Sequence, residues 1–227
     1  MIGIIGAMDI EVENLKNAVE NKQVKTISGI DFVSGKISGT EVVIAKAGVG
    51  KVNAAVCAQT MILLYKPDAV INTGVAGSLS EKVGVGDIVV ASATVQHDMD
   101  TSPLGDPVGF ISGIDMVELP CDEKVHSKLL KCAKKTEGIT VESGIIASGD
   151  IFLNSLDIKN KIVSTFGAIA GEMEGGSIGQ VCIINKVPYC VLRAISDNAD
   201  GTSHVDYPTF VAKASQVSTN IMLDFLK

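Results

Sequence analysis

The hydrophobic positions of the chain follow two patterns that alternate from one end to the other. Short apolar runs bounded by glycine or polar residues are typical of buried strands, and apolar residues three or four positions apart predict helices. The predicted strands are Ile2–Ile5, Val24–Ser28, Asp31–Ser38, Glu41–Ala45, Ala69–Asn72, Asp87–His97, Thr140–Ala147, Ala168–Ala170 and Tyr189–Ile195. The predicted helices are Asp9–Glu20 (with Asp9 as its cap), Val49–Tyr65, Glu123–Lys135, Leu156–Thr165, Gly175–Asn185 and Tyr207–Leu226.

Strands that alternate with helices indicate an α/β protein, here a three-layer sandwich in which helices flank a central sheet. Near-continuous apolar strands favour a largely parallel sheet, and turns at Gly29 and Gly39 add hairpins that make it mixed. Residues 74–78 and 98–115 are predicted to be loops, the second because it holds two prolines and several glycines. No repeat or linker divides the chain, so we expect one domain over residues 1–227.

The charge of the chain limits the partners it is built to bind. The formal net charge is −7 and Arg193 is the only arginine, which argues against a nucleic-acid surface and against extensive phosphate recognition. Hydrophobic residues make up 46% of the chain but form no run of membrane-spanning length, and the N-terminus lacks a signal-peptide pattern. We therefore expect a cytoplasmic protein that binds neither nucleic acid nor membrane.

Cysteine and histidine positions support neither a disulfide framework nor a metal site. The five cysteines form an odd set without C-x-x-C spacing, and the three histidines lie far apart. We expect free, mostly buried thiols and no metal.

Glycine or acidic residues follow most of the predicted strands, at the strand ends where α/β proteins bind ligands. Gly48-Val49-Gly50-Lys51 is no P-loop, because position 45 is alanine, and Gly3 and Gly6 do not complete a dinucleotide motif, because position 8 is methionine. Asp150 is expected to be a turn or cap residue. Together these segments indicate a small-molecule site with glycines for close approach and carboxylates for chemistry.

Three carboxylates among these segments are candidates for chemistry, and each has a structural alternative. Glu11 lies near the positive end of a helix dipole, although acids are common at helix starts. Glu172 and Glu174 point the same way on an extended segment, so one could bind a ligand while the other is structural, or both could belong to a solvated turn. Asp197 follows a buried strand whose Arg193 needs a partner such as Glu174, so a structural ion pair is the alternative there.

The order of these blocks resembles the 5′-methylthioadenosine/S-adenosylhomocysteine nucleosidases, of the nucleoside phosphorylase superfamily, over almost the whole chain. The matching blocks are Gly6-Ala7-Met8 with Glu11, Ala47–Val52, Asn72–Gly77, Val85–Val90, His97–Asp100, Ser148-Gly149-Asp150, Glu172-Met173-Glu174 and Arg193–Asp197. The resemblance implies a nucleoside phosphorylase-like fold and a hydrolase that releases adenine and a 5′-thioribose product from methylthioadenosine and adenosylhomocysteine. It places that reaction in methionine salvage and the activated methyl cycle, without a cofactor.

The resemblance also implies a role for each carboxylate. Glu11 would activate the attacking water, Asp197 would protonate N7 of the purine, and Glu174 would bind the ribose hydroxyls. A carboxylate near the sugar would stabilise an oxocarbenium-like transition state more than the substrate. Asp197 would have to be protonated near neutral pH, which burial at a strand end favours.

The other implied site residues position the substrate. Ser196 would orient Asp197, and Arg193 would position Glu174 and the water. The remaining substrate-binding residues are Met173 against the sugar, Phe152 stacked on adenine, Gly77 and Leu153 in the base pocket, and Met8, Val49 and Tyr207.

The chain differs from better-known members of the family near the 5′ end of the substrate. Val75 occupies a position where serine is frequent, Tyr207 stands where phenylalanine is common, and the loop Thr101–Asp106 is less aromatic. In the family this loop reaches into the neighbouring subunit's site. We therefore expect a homodimer in which residues 98–115 approach the partner's site.

Three alternative functions share the same scaffold. A purine nucleoside phosphorylase would need cationic groups at its anion site, where this chain offers Asp9, Glu11 and Glu13. A hydrolase of futalosine-like nucleosides would suit Asp197 equally well. An inert nucleoside-binding protein would have no need of a water-activating base.

Overall fold

A computed structural model describes residues 1–199 and 207–227, apart from the side chains of residues 207–209. Within those ranges the strands are β1 (Ile2–Gly6), β2 (Glu20–Ile27), β3 (Ile30–Ile37), β4 (Thr40–Lys46), β5 (Ala69–Ser78), β6 (Ile88–Gln96), β7 (Leu119–Pro120), β8 (Val141–Ser148), β9 (Ala170–Glu172) and β10 (Tyr189–Asp197). The helices are α1 (Asp9–Ala18), α2 (Lys51–Tyr65), α3 (Glu123–Ala133), α4 (Leu156–Phe166), α5 (Gly175–Asn185) and α6 (Tyr207–Phe225).

The strands form one mixed sheet in the order β10-β6-β8-β9-β5-β1-β4-β3-β2, and β7 pairs with β6. Because β5 also pairs with β10, the strands β5, β10, β6, β8 and β9 close into a ring, and the other strands extend from it. Parallel pairings join β1 to β4 and β5, β10 to β5, and β8 to β6 and β9. The predicted mixed α/β sheet is confirmed.

Helices cover both faces of this sheet, as predicted. On one face α2 packs against α5, and their buried residues Cys57, Met61 and Cys182 share an apolar cluster with Ile5 of β1. On the other face α1, α3 and α6 pack together over a second cluster that includes Met222. The buried residues of each helix lose contact with water when the helix packs against the sheet, whereas α2 also keeps apolar residues such as Val52 and Leu63 exposed on its outer side.

Strand β5 is longer than predicted, because residues 74–78 continue it and do not form a loop. In this stretch Gly74 pairs with Arg193, Gly77 pairs with both Asp197 and Gly171, and Ser78 pairs with Ala170. The run Gly74–Ser78 reads as a turn because glycine is rare in strand interiors. Here two glycines are needed because other groups approach the backbone closely.

Two smaller predictions also change. The N-cap of α1 is Met8, and Asp9 is the first helical residue, because the Glu11 side chain accepts the Met8 N–H. The predicted loop 98–115 is mostly irregular, but it contains a short 3-10 turn at Ser102–Leu104 and a bridge between Ile111 and Met116.

The sheet brings several strand ends to one place. The C-terminal ends of β1, β5 and β10 lie side by side because these strands are parallel neighbours. Strand β9 meets β5 antiparallel, with Gly171 opposite Gly77, so its C-terminal end reaches the same region from another direction. No helix in the described part of the chain is long and apolar enough to cross a membrane.

Candidate active site

A cavity of about 280 Å³ lies where these strand ends meet. Ten of the twelve predicted site residues line it, namely Glu11, Asp197, Gly77, Phe152, Leu153, Met173, Glu174, Ser196, Met8 and Val49. Arg193 lies beneath the cavity wall and is 1% exposed. Tyr207 begins α6, but its side chain lies outside the described part of the structure. The three predicted acidic side chains therefore share one cavity.

Glu11 is held in place by backbone N–H groups from two strand ends. Its Oε2 accepts hydrogen bonds from the N–H groups of Ala7 at 2.7 Å and Met8 at 2.9 Å, and its Oε1 accepts one from Val75 at 3.0 Å. The side chain is buried at the start of α1, where the helix dipole favours a negative charge. The geometry gives a fixed carboxylate at the cavity wall that can accept a proton from a bound water.

Arg193 is paired mainly with Glu172, which corrects the expectation that Glu174 is its partner. Its Nη2 donates a short hydrogen bond to Glu172 Oε2 and another to Asn72 Oδ1 at 2.5 Å, whereas Glu174 Oε2 lies 3.6 Å away. Burial acts to raise the pKa of Glu172, but the charge of Arg193 and a hydrogen bond from Ser148 hold it below its usual range. Of the two glutamates in the motif, Glu172 is the structural one.

Glu174 points into the cavity with fewer partners. Its Oε1 accepts the Gly50 N–H at 2.9 Å, and this bond links the site to the start of α2. Burial and the charge of Glu172 raise the pKa of Glu174 to about 7, against the opposing effect of Arg193. The side chain is therefore a buried carboxyl with spare acceptor capacity toward the cavity.

Asp197 ends β10 opposite Gly77 of β5. Its Oδ2 accepts the Ser196 hydroxyl at 2.9 Å, and its Oδ1 accepts the Ala199 N–H at 2.8 Å. A Cβ at Gly77 would lie 2.9 Å from the Ala199 Cβ and 3.0 Å from Asp197 Oδ1, so only glycine leaves this space open. Ser196 thus contacts Asp197 directly, and its orienting role stays a prediction of the resemblance.

Apolar side chains form much of the remaining wall. Phe152 and Ile151 follow the end of β8, and Met173 lies between the two glutamates of its motif. A largely apolar cavity with a few polar groups is typical of a small-molecule site. No group of three or more His, Cys, Asp or Glu side chains suited to a metal ion occurs among the described residues.

Sequence reasoning did not identify several residues of this region. The cavity is also lined by Ala7, Ala76, Ile151 and Gly171, which had no predicted role, and by Val75 and Glu172, which the sequence had already singled out. Beneath it, the Ser148 hydroxyl joins Glu172 to the Gly176 N–H, and the amide of Asn72 contacts Arg193. Ser148 and Asn72 stand at the edges of motifs quoted above, but nothing in their spacing indicates which buried charge they contact.

The comparisons with known proteins agree with this geometry. The whole chain, residues 1–227, matches the family model of the phosphorylase superfamily. A 5′-methylthioadenosine/S-adenosylhomocysteine nucleosidase of Bacillus subtilis (strain 168) is 37% identical over 227 residues, which are 100% of this chain and 98% of that protein. One from Shewanella loihica is also 37% identical, over 100% of this chain and 98% of that protein.

Solved structures give the same result. A nucleosidase of this kind from Neisseria meningitidis, in complex with methylthio-immucillin-A, has a TM-score of 0.96 at 32% identity and covers 100% of this chain and 98% of its own. The futalosine hydrolase of Helicobacter pylori has a TM-score of 0.93 at 35% identity, over 99% of this chain and 96% of its own. The chain belongs to the phosphorylase superfamily and, within it, to the family of 5′-methylthioadenosine/S-adenosylhomocysteine nucleosidases.

Proposed function

We propose that this protein hydrolyses the N-glycosidic bond of 5′-methylthioadenosine and S-adenosylhomocysteine, releasing adenine and the 5′-thioribose product. The observation that carries the proposal is the meeting of Glu11, Glu174 and Asp197 in one cavity. The names of the full-length relatives support the substrate class. The reaction belongs to methionine salvage and the activated methyl cycle and needs no cofactor.

Glu11 acts as the base that activates the attacking water. Three N–H donors fix its carboxylate, so the group needs little reorganisation when the water loses its proton. The negative charge also stabilises the positive charge that develops on the sugar as the base departs.

Asp197 acts as the acid that protonates N7 of the purine. Protonation makes adenine a neutral leaving group, which lowers the barrier to cleavage of the bond. The Ser196 hydroxyl lies 2.9 Å from Asp197 Oδ2 and can rotate to donate to the carboxylate or accept from the carboxylic acid. The Ser196 hydroxyl can therefore keep its hydrogen bond to Asp197 both before and after Asp197 gives up its proton.

Glu174 binds the ribose hydroxyls, and Met173 packs against the sugar. Glu11, Glu172 and Glu174 are buried close together and repel one another. The positive charge of Arg193, which lies closest to Glu172, offsets part of that repulsion. Phe152 stacks on adenine, and Gly77 and Leu153 complete the base pocket. Met8, Val49 and Tyr207 bind toward the 5′ end.

A purine nucleoside phosphorylase is the nearest competing function. Its phosphate needs cationic side chains, but the cavity wall contains glutamates and Asp197, and Arg193 is covered. The structural similarity to the futalosine hydrolase means that other N-glycosides also have to be tested as substrates. Hydrolysis of adenine thionucleosides is the function that the acidic cavity and the relatives support together.

One assay tests this function directly. Adenine release is measured from methylthioadenosine, adenosylhomocysteine and adenosine, with and without phosphate, for wild type, Glu11→Gln and Asp197→Asn. Hydrolysis of both thionucleosides without phosphate is expected, with about a thousandfold loss in each variant. Sugar phosphate formation would indicate a phosphorylase, and binding without adenine release would indicate an inert nucleoside-binding protein.

We also propose that the protein acts in the cytoplasm as a homodimer. The outer side of α2 carries Val52, Val56 and Leu63, which are 74%, 43% and 65% exposed. Their spacing of four and seven residues puts them on one side of the helix. Val52, the first residue of this α2 apolar face, lies three positions after Val49 of the cavity wall, so a partner that covers the face would lie close to the site. Residues 98–115 of the partner then approach that site.

A further inference from the structure

The start of α2 is built around two glycines and reaches the buried Glu174. Gly48 and Gly50 have φ of 91° and 98°, a region that favours glycine. The Gly50 N–H donates to Glu174 Oε1 at 2.9 Å. Gly50 is also the N-cap of α2 and has no side chain with which to accept the first N–H groups of the helix.

Asp150, from the segment after β8, supplies the missing cap. Its Oδ1 accepts the Lys51 N–H at 2.7 Å. A Cβ at Gly50 would lie 3.0 Å from the same oxygen, so the close approach depends on glycine at that position. The expectation that Asp150 is a cap residue is confirmed, although the helix that it caps lies about a hundred residues earlier in the chain.

Asp98 contacts both Asp150 and Lys51 and so completes a closed hydrogen-bond network. Its Oδ2 accepts the Asp150 N–H at 2.8 Å, and its Oδ1 pairs with Lys51 Nζ at 2.6 Å. The side chains of Lys51 and Asp98 are each 19% exposed, so solvent screens the pair less than a surface ion pair. Lys51 is thus held by its backbone and by its ammonium group at the same time.

We propose that Asp98 and Asp150 are positioning residues of the active site, which fix the start of α2 so that the Gly50 N–H stays on Glu174 and keeps it aimed at the ribose. The inference rests on the proposed function, in which Glu174 binds the sugar hydroxyls. Neither aspartate touches the reacting atoms, and both act through one backbone N–H group.

The consequence for Glu174 is electrostatic. Glu172 from β9, Arg193 from β10 and Glu11 from α1 are the charged groups that face it, and the Gly50 N–H stabilises its ionised form. Loss of that donor raises the pKa of Glu174, because a hydrogen bond to the charged form is removed. The acid side of the pH profile of kcat/KM then moves to higher pH.

The principal test compares Asp150→Ala with Asp122→Ala. Asp122 caps α3 through the N–H groups of Lys124 and Val125, far from the cavity, and is a matched control for the loss of a helix cap. Asp150→Ala is expected to raise KM about fivefold to tenfold with a smaller change in kcat, and to shift the acid limb upward by about half a pH unit. Asp122→Ala is expected to change neither quantity.

A double-mutant cycle tests whether Asp150 acts through Glu174. In a Glu174→Gln background, Asp150→Ala should lose most of its effect on KM, because residues that act through one group are not additive. Asp98→Asn keeps the side-chain shape and removes the charge opposite Lys51, and it should give a smaller shift in the same direction. It also serves as the second variant if Asp150→Ala folds poorly.

The outcomes separate this inference from the proposed function. If wild type releases adenine but Asp150→Ala has the pH profile of Asp122→Ala, or if its effect persists in full beside Glu174→Gln, the positioning role is wrong and the function stands. If wild type releases no adenine from either thionucleoside, the proposed function fails and this inference fails with it.

Discussion

At the scale of single residues, Gly74 shows how tightly the charged groups beneath the site are packed. A Cβ at this position would lie 2.4 Å from Glu11 Oε1 and 2.8 Å from Arg193 Nη1. Real side chains do not approach so closely, so the carboxylate or the guanidinium would have to move. The absence of a side chain at one strand position therefore keeps two buried charged groups in place.

Gly74→Ala is expected to lower kcat/KM about a hundredfold and stability by about 1–3 kcal/mol, because it displaces the proposed base. Gly84→Ala is the control, since a Cβ there would lie 3.9 Å from its nearest neighbour, Asp87 Oδ2. Steady-state kinetics and urea unfolding of both variants check the prediction. Equal activity in the two variants would contradict it.

The raised pKa of Glu174 predicts a pH dependence of stability. Its usual value is 4.5 and its value in the fold is about 7, so the native state binds the proton more strongly than the unfolded chain. The free energy of unfolding is therefore highest below pH 4.5, and it falls by about 3 kcal/mol as the pH rises through 7. Between pH 5 and 8, wild type should lose more free energy of unfolding than Glu174→Gln, as measured by urea denaturation. Parallel curves for the two proteins would refute this.

Sequence reasoning identified which residues carry charge at the site but could not pair them. The buried strand around Arg193 indicated the need for an acidic partner, and Glu172 and Glu174 lie only two positions apart, so spacing did not separate them. The choice depends on the Glu174 and Gly175 N–H groups, which donate to Glu172 and anchor it beneath the start of α5. That geometry is set by the position of a helix and cannot be read from spacing.

At the scale of elements, the apolar pattern predicted most strands and helices to within a few residues, because one buried side imposes a clear period. The apolar pattern did not predict the end of β5. Gly74 and Gly77 occur there because neighbouring side chains leave no room for a Cβ, although glycine has a low strand propensity. The pattern also could not predict the short structure inside residues 98–115, which depends on local turns.

The Lys159 side chain of helix α4 contacts the ends of two strands that line the cavity. Lys159 Nζ donates to the Ser78 carbonyl at 2.7 Å and to the Asn198 carbonyl at 2.8 Å. These carbonyls lie just beyond Gly77 and Asp197, so the ammonium group connects two strand ends that line the cavity.

Lys159→Met is expected to lower the melting temperature by about 2–4 °C and to raise KM, because two carbonyls lose a charged donor. Lys161→Met on the same helix is the control, since Lys161 is exposed. Thermal unfolding and steady-state kinetics provide the measurements. A control variant that loses as much as Lys159→Met would show that the effect is not specific to the two carbonyls.

At the scale of the whole molecule, the strands belong to one sheet whose ring of five joins early and late parts of the chain. This connectivity supports the proposal that residues 1–227 form one domain. The α2 apolar face lies outside that core and is the surface that we propose a second copy covers. Because Val52 of this face lies three positions after Val49 of the cavity wall, the proposed dimer contact would lie beside the proposed substrate site.

Leu63→Glu is expected to convert the protein from a dimer to a monomer and to lower activity, because a buried unpaired charge would destabilise the interface. Val24→Glu is the matched control, since Val24 is 60% exposed on β2. Sedimentation velocity and adenine release at several protein concentrations check both effects. A wild-type monomer with full activity on dilution would rule out the dimer.

The pairing of β10 with β5 also has a consequence for how the enzyme matures. The Ser196 hydroxyl and the Ala76 carbonyl that it contacts are 120 positions apart in the chain, and contacts of such long range generally form slowly during folding. Asp197, the proposed general acid at the end of β10, can face the proposed base pocket only after this pairing forms. During refolding, the return of adenine release should therefore lag behind the return of helical circular dichroism, and catalysis itself would report the last step of the folding pathway.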